Sequence, residues 1–404
     1  MSDLKSPSTA TFGAFSTDVQ SPAIGRIAAA SRRPAGLGSP IPGAVSLAMG
    51  EPDEQTAPHI IARAKTALDD GLTHYAPASG EPDLKQKLAD YESTLAGRHV
   101  SAESIVLAHG ATGALSSLVI ALVSPGDKVV VPAPTYSLYV DLLAMVGAVA
   151  VPVPLRSDNM LDIEAIRAQV QDARMLIICN PSNPTGAVYD AEQLSDVAAL
   201  LTEFPELVLV SDEAYSEIVF DDVDFVSALA LSSTDREHDV QAQIIKVGTF
   251  SKTFAMTGWR LGYCAAPRAL AHHIDLIQRT LNGALATFVQ DAALAALATA
   301  QSELNSMRAT YQRRRDQVIE ELQASDRVTV NTPKGAFYAF PHIDTSLSSL
   351  ELVDAFAAGG LLVRAGSEYG LSGEGHVRLS FAADDEAITE GLRRFTTVVS
   401  QLPR

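Results

Sequence analysis

Six short runs of nearly unbroken apolar residues, at 105–108, 128–132, 175–179, 207–210, 244–247 and 261–265, punctuate the chain. Several are rich in Val and Ile, and stretches of helical character such as 114–122 and 191–201 lie between them. A strand that is apolar on every residue must be covered on both faces, as happens when crossover helices pack on both sides of a parallel sheet. The alternation therefore predicts an α/β domain with a mostly parallel sheet. After about residue 282 the texture changes. Residues 288–322 read as one long helix, with apolar positions at steps of three and four. Short strands at 328–330, 336–340 and 376–381 follow, with helices between them. This is α+β texture and predicts a second, smaller domain. The expected division is an N-terminal arm over 1–45, a large domain over 46–287 and a small domain over 288–404. The arm is Ser/Thr-rich and loose through residue 20, extended over 31–42, and expected to pack on the small domain or on a partner subunit. No internal repeat is visible.

Composition narrows the function classes. The chain has 404 residues, 47% hydrophobic and 19% charged, which is ordinary for a globular protein. Its net charge is 30 − 48 = −18, which argues against nucleic acid and against anionic membrane surfaces as partners. Cys179 and Cys264 are far apart, sit in strand-like runs and have no zinc spacing, so no metal is expected. Two free buried thiols suit a reducing compartment and a cytoplasmic location. No apolar run approaches the length needed to cross a membrane, and the N-terminus lacks the plan of a secretory signal.

Four segments carry chemistry. Lys252, in Thr249-Phe250-Ser251-Lys252-Thr253, follows an apolar run; it lies either in a surface loop, as most Ser-Lys-Thr strings do, or in a buried site where a lysine loses its charge readily and can act as an amine nucleophile. Asn180-Pro181-Ser182-Asn183-Pro184-Thr185-Gly186 follows the run at 175–179. It is either a polar turn or an amide placed at the carboxyl end of a strand, where open α/β sheets bind ligands. Asp212, in Ser211-Asp212-Glu213-Ala214-Tyr215, is either a helix cap or a carboxylate for a ring nitrogen. His109-Gly110-Ala111-Thr112-Gly113-Ala114 joins a strand to a helix; it is either a tight turn with a helix cap or a junction whose small residues let backbone amides approach a phosphate at the positive end of that helix.

The order of these segments, with Gly50-Glu51-Pro52-Asp53 before them and Gly258-Trp259-Arg260 after Lys252, resembles the class I/II aminotransferases. These are fold-type I enzymes that use pyridoxal 5′-phosphate. The resemblance runs from about residue 45 to 381. It implies that Lys252 holds the cofactor as an internal aldimine and then carries the proton at the substrate Cα through the external aldimine, in a ping-pong exchange between an L-amino acid and a 2-oxo acid. Asp212 would pair with the pyridine nitrogen and keep the ring an electron sink. Tyr215 and Asn183 would hydrogen-bond the phenolic oxygen, and Tyr136 would stack on the ring. Arg260, Thr249, Ser251 and Thr112, with the backbone at Gly110 and Ala111, would hold the phosphate. Tyr75 would reach the phosphate of the other subunit in a homodimer with shared active sites. Arg378 would grip the substrate α-carboxylate with its planar fork, and Gly50 would line the same pocket.

Three positions depart from the commonest family strings. Arg364, in Val363-Arg364-Ala365-Gly366, stands where an apolar residue is frequent. It is expected either to read a distal carboxylate or polar group of the substrate or to pair with a neighbour such as Glu368. Thr112 stands where some aspartate-using relatives carry a lysine. Glu54 stands where an aromatic residue is frequent. Other outcomes on the same scaffold are a β-lyase, a γ-elimination synthase or an oxidase. A non-catalytic ligand sensor would need a DNA-binding module ahead of the fold.

Overall fold

The computed structural model describes residues 42–232 and 239–404; the expected N-terminal arm therefore lies almost wholly outside the described residues. Seven strands form the central sheet: β1 (Ile105–Ala108), β2 (Lys128–Ala133), β3 (Val149–Pro154), β4 (Ala173–Cys179), β5 (Val208–Asp212), β6 (Ile244–Thr249) and β7 (Gly262–Ala265). Their spatial order is β1-β7-β6-β5-β4-β2-β3. Strands β3, β2, β4, β5 and β6 pair in parallel, and only β7 runs antiparallel to its two neighbours. The six apolar runs of the sequence all lie in this sheet. The strand missed was β3, an edge strand whose residues are mostly exposed or half-buried and carry two prolines.

The near-continuous apolar strands have the consequence expected of them. Along β4, Leu176 and Ile178 enter one core while Met175 and Ile177 enter another on the opposite face. The helix Gly110–Leu122 covers the second face with Ala114, Leu115, Leu118 and Val119. Successive side chains alternate across a strand, so a strand covered on both sides must be apolar throughout.

A separate core gathers residues from both ends of the chain. Leu47, Ala48 and Ile218 join Val318, Phe356, Val377, Leu379 and Phe395. The small sheets here include a three-stranded one, with Val377–Ser380 between Tyr338–Ala339 and Arg364–Ala365, both antiparallel to it. The stretch expected as one helix over 288–322 is two, Thr287–Ala296 and Gln301–Gln323. The first buries Val289, Ala292, Ala293 and Ala296 in the core of the seven-stranded sheet. A boundary at 287/288 thus cuts a helix that packs with the large unit. One at 45/46 likewise separates Leu47 and Ala48 from the partners they bury against, because burial follows tertiary contact and not texture along the chain. The 47–53 segment is tied to the small unit by Ser380 N–H to Leu47 O at 2.7 Å and by the Arg314 fork on Asp53 at 2.8 Å and 2.8 Å.

Among the described residues no helix is long and apolar enough to cross a membrane.

Candidate active site

Strands β1, β4, β5 and β6 all end on one edge of the sheet, and antiparallel β7 begins there. Ala108 and Thr249 both face Gly262 in register, and Cys179 faces Asp212. The segments singled out in the sequence are the connections leaving or entering this edge, which is where a parallel sheet leaves a crevice for a ligand.

The crevice is a cavity of about 330 Å³. Ala111, Thr112, Thr249, Ser251 and Arg260 line one end. Gly110 opens the helix Gly110–Leu122 with φ +73, and a Cβ there would lie 2.6 Å from the Arg260 guanidinium. Gly262 is equally confined, since a Cβ would lie 2.7 Å from the Ala111 amide nitrogen. Arg260 itself adopts a left-handed backbone (φ 54), and its guanidinium donates to Thr257 O at 2.8 Å. A cation, hydroxyls and the first amides of a helix thus converge on one spot, which is an arrangement for binding a phosphate.

Lys252 and Asp212 lie farther in. Lys252 Nζ donates to Gly50 O at 2.7 Å. Burial, reinforced by Arg378 and Arg260, holds its pKa down at about 8. Asp212 is buried and accepts from Tyr139 Oη at 2.7 Å and from the Ala214 amide at 3.2 Å. Burial pushes the Asp212 carboxyl up, while Tyr139, that amide and Lys252 pull it back. Tyr136 lines the same wall, its ring edge-on to Tyr139 at 5.8 Å.

The far wall comes from the small unit. Arg378, 6% exposed, donates from one terminal nitrogen to Asn183 Oδ1 at 3.1 Å and from the other to Ala48 O at 2.6 Å. Its Nε is buried and has no hydrogen-bond partner among the described residues. Its guanidinium lies 4.2 Å above the Tyr338 ring and 5.3 Å from the Tyr369 ring. Arg364 faces Arg378 across the strand pair and also lines the cavity, ion-paired with Glu368 at 2.6 Å. Tyr215 meets Tyr338, hydroxyl to hydroxyl, at 2.9 Å.

Of the residues expected from the sequence, the cavity brings together all but two. Gly110 lies behind Arg260 and touches the cavity through it. Tyr75 is remote, 95% exposed, and paired in a single bridge with Ala286. Among the lining residues that were not foreseen are three tyrosines, Tyr139, Tyr338 and Tyr369. Tyr139 follows Tyr136 by three residues at the start of the helix Ser137–Met145, a spacing that places side chains on one helical face. No comparable signal marks Tyr338 or Tyr369, which arrive from distant strands and loops.

The chain matches the family described as aminotransferase class I and II over residues 42–395. It is 36% identical to the aspartate aminotransferase of Pyrococcus abyssi over 371 residues, 88% of this chain and 92% of that one. Among solved structures, an aromatic aminotransferase from Pyrococcus horikoshii superposes with a TM-score of 0.85 at 32% identity, covering 94% of this chain and 99% of that one. The aspartate aminotransferase of Thermus thermophilus with maleate gives 0.81 at 31%, covering 88% and 91%. Strand order, crevice and sequence agree, and the chain belongs to the class I and II aminotransferases, enzymes of fold type I that use pyridoxal 5′-phosphate to move an amino group from an amino acid to a 2-oxo acid.

Proposed function

We propose that this cavity is one subunit's share of the catalytic centre, with Lys252 as the amine that carries the cofactor and moves the substrate proton. The observation that carries the reading is the cluster itself. Lys252, Arg260 and Arg378 converge on one cavity in a chain of net charge −18, and Arg378 Nε is buried without a partner among the described residues. Buried donors without partners are costly and point to a ligand that satisfies them. A substrate α-carboxylate suits Arg378, and a phosphate suits the Arg260 end.

The residues also suit the cofactor. Buried Asp212 has a raised pKa, and a cationic ring nitrogen beside it would favour its charged form. Pyridoxal phosphate, when bound, supplies an aldehyde carbon that exchanges amines and an electron-withdrawing ring that acidifies the substrate Cα–H. The protein's own part is then to orient and to move protons. Tyr139 and the Ala214 amide hold Asp212 in place and oppose the upward shift that burial imposes on its carboxyl. Asn183 steadies the Arg378 fork. Lys252 Nζ, with its lowered pKa, takes and returns a proton near neutral pH. Tyr136 covers one ring face, and Tyr215 and Asn183 serve the phenolic oxygen.

The substrates proposed are an L-amino acid and a 2-oxo acid, exchanged by a ping-pong mechanism. Arg364 is assigned to the substrate end because it lies on the Arg378 face of the strand pair. Its pairing with Glu368 means that a distal carboxylate must compete with Glu368 for it. A homodimer is proposed because Tyr75 stands free of its own cavity, with Leu72 and Leu281 also exposed. A cytoplasmic location is proposed from the two buried free cysteines.

The test mixes purified holoenzyme with each amino acid in turn and follows conversion to the pyridoxamine form by absorbance. Conversion by a defined set of amino acids, absent in Lys252→Ala, is expected. A wild-type protein that shows no cofactor absorbance even with added pyridoxal phosphate would overturn the reading. Release of ammonia, pyruvate or peroxide in place of pyridoxamine would move it to a lyase or an oxidase.

A further inference from the structure

Tyr338 is fully buried and touches both halves of the site. Its hydroxyl lies 2.9 Å from the Tyr215 hydroxyl, with the two rings edge-on at 5.7 Å. Its ring face lies 4.2 Å from the Arg378 guanidinium carbon. The register explains the second contact: Tyr338 faces Ser380, so it shares a sheet face with Arg378 two residues away. Its hydroxyl also fixes a neighbour, because a Cβ at Gly50 would overlap it. Gly50 in turn presents the carbonyl that accepts from Lys252 Nζ.

We propose that Tyr338 is a positioning residue that serves the cofactor end through its hydroxyl and the substrate carboxylate end through its ring. This rests on the assignment of Tyr215 to the phenolic oxygen and of Arg378 to the α-carboxylate. The polarity of the hydroxyl pair follows from proton count. Tyr215 has one proton, and when it donates to the phenolic oxygen it can only accept from Tyr338. A hydroxyl that accepts a hydrogen bond becomes a stronger donor, so Tyr338 strengthens the bond that Tyr215 makes and favours the deprotonated form of the bound cofactor. The ring has a different effect. It lies against the guanidinium face and leaves the edge, including Nε, turned to the carboxylate.

The two roles separate by substitution in the holoenzyme. Tyr338→Phe keeps the ring and removes the hydroxyl; Tyr338→Leu removes both. The first readout is the pH midpoint of the visible absorption band of the bound cofactor. The second is the affinity for propionate, a carboxylate without an amine, titrated through the same band. Tyr338→Phe is expected to raise the midpoint by about half a unit, about threefold in proton affinity, with propionate affinity within about twofold of wild type. Tyr338→Leu is expected to raise the midpoint similarly and to weaken propionate binding about fivefold or more. An unmoved midpoint in Tyr338→Phe, or wild-type propionate affinity in Tyr338→Leu, overturns the proposal. A wild-type enzyme that lacks the band or ignores propionate instead sinks the underlying assignment of Lys252 and Arg378, so the two failures are distinguishable.

Discussion

Lys252 shows how one side chain depends on its surroundings. In water its amine would be almost wholly protonated at neutral pH; here burial, with Arg378 and Arg260 adding to it, lowers the pKa to about 8. Only the neutral amine attacks an aldehyde. The rate at which cofactor-free protein captures pyridoxal phosphate should therefore rise with pH through about 8 and then level off, as followed by stopped-flow absorbance. A rate that keeps rising to the ordinary lysine range would contradict the lowered pKa. Arg364 makes the opposite point, since a second cation near the site entrance is legible in the sequence, but whether it reads the substrate or pairs with Glu368 is not. It is ion-paired with Glu368 and still lines the cavity. Arg364→Val should lower kcat/KM for acidic amino acids about tenfold, leaving neutral ones within about twofold. Equal effects on both sets would remove Arg364 from substrate recognition. Both residues were legible as chemistry in the chain. Tyr139 and Tyr338 were not, because a tyrosine matters here only through what it faces, Asp212 in one case and Tyr215 in the other.

Elements matter through where they end. The end of the cavity proposed to hold a phosphate is made by three backbone pieces that nearly touch: the start of the helix Gly110–Leu122, the left-handed Arg260 and the first residue of β7. Gly110 combines a positive φ with a guanidinium 2.6 Å from where a Cβ would be. Gly110→Ala should therefore weaken pyridoxal phosphate binding by tenfold or more, measured by equilibrium titration, while Tm of the cofactor-free protein changes by only a few degrees. A large loss of Tm with unchanged cofactor affinity would show that the glycine serves folding alone. The sequence marked this element as either a tight turn with a helix cap or a phosphate-binding junction, and only the neighbouring cation separates the two. The sequence is a poorer guide at 288–322, where helical periodicity continues through the break between Thr287–Ala296 and Gln301–Gln323. A local pattern does not register that the two helices bury against different cores.

Across the whole molecule, a buried charge cluster supports the site from behind. Lys246 is 1% exposed, with Nζ 2.7 Å and 2.6 Å from the two Glu92 oxygens and 3.4 Å from Glu213. Burial works against its charge, but Glu92 and Glu213 outweigh burial and hold its pKa up. Tyr263 adds a hydroxyl bond to Glu92, and the Ala228 amide one to Glu213 at 2.7 Å. Lys246→Met leaves two buried carboxylates short of a cation and should cost roughly 3–5 kcal/mol in urea unfolding, with partial recovery in Glu92→Gln/Lys246→Met. Equal loss in single and double variants would show that packing, not charge, dominates. At the level of the assembly, Tyr75→Ala should leave its own chain's contacts almost intact, because Tyr75 is 95% exposed, and yet lower cofactor affinity if subunits share sites. Light scattering of the same samples gives the oligomeric state, and a monomer that retains full activity would refute the shared site. The sequence by itself determined the parallel sheet, the segments that leave its crevice edge and the charged residues among them, because periodicity and strand-to-loop order are local properties of a chain. Tertiary structure alone decided that residues 47–53 serve the small unit, that Arg364 pairs with Glu368, and that Tyr139 and Tyr338 complete the cavity. Those facts depend on which distant segments share a core, and neither burial nor a hydrogen-bond partner is encoded at any single position.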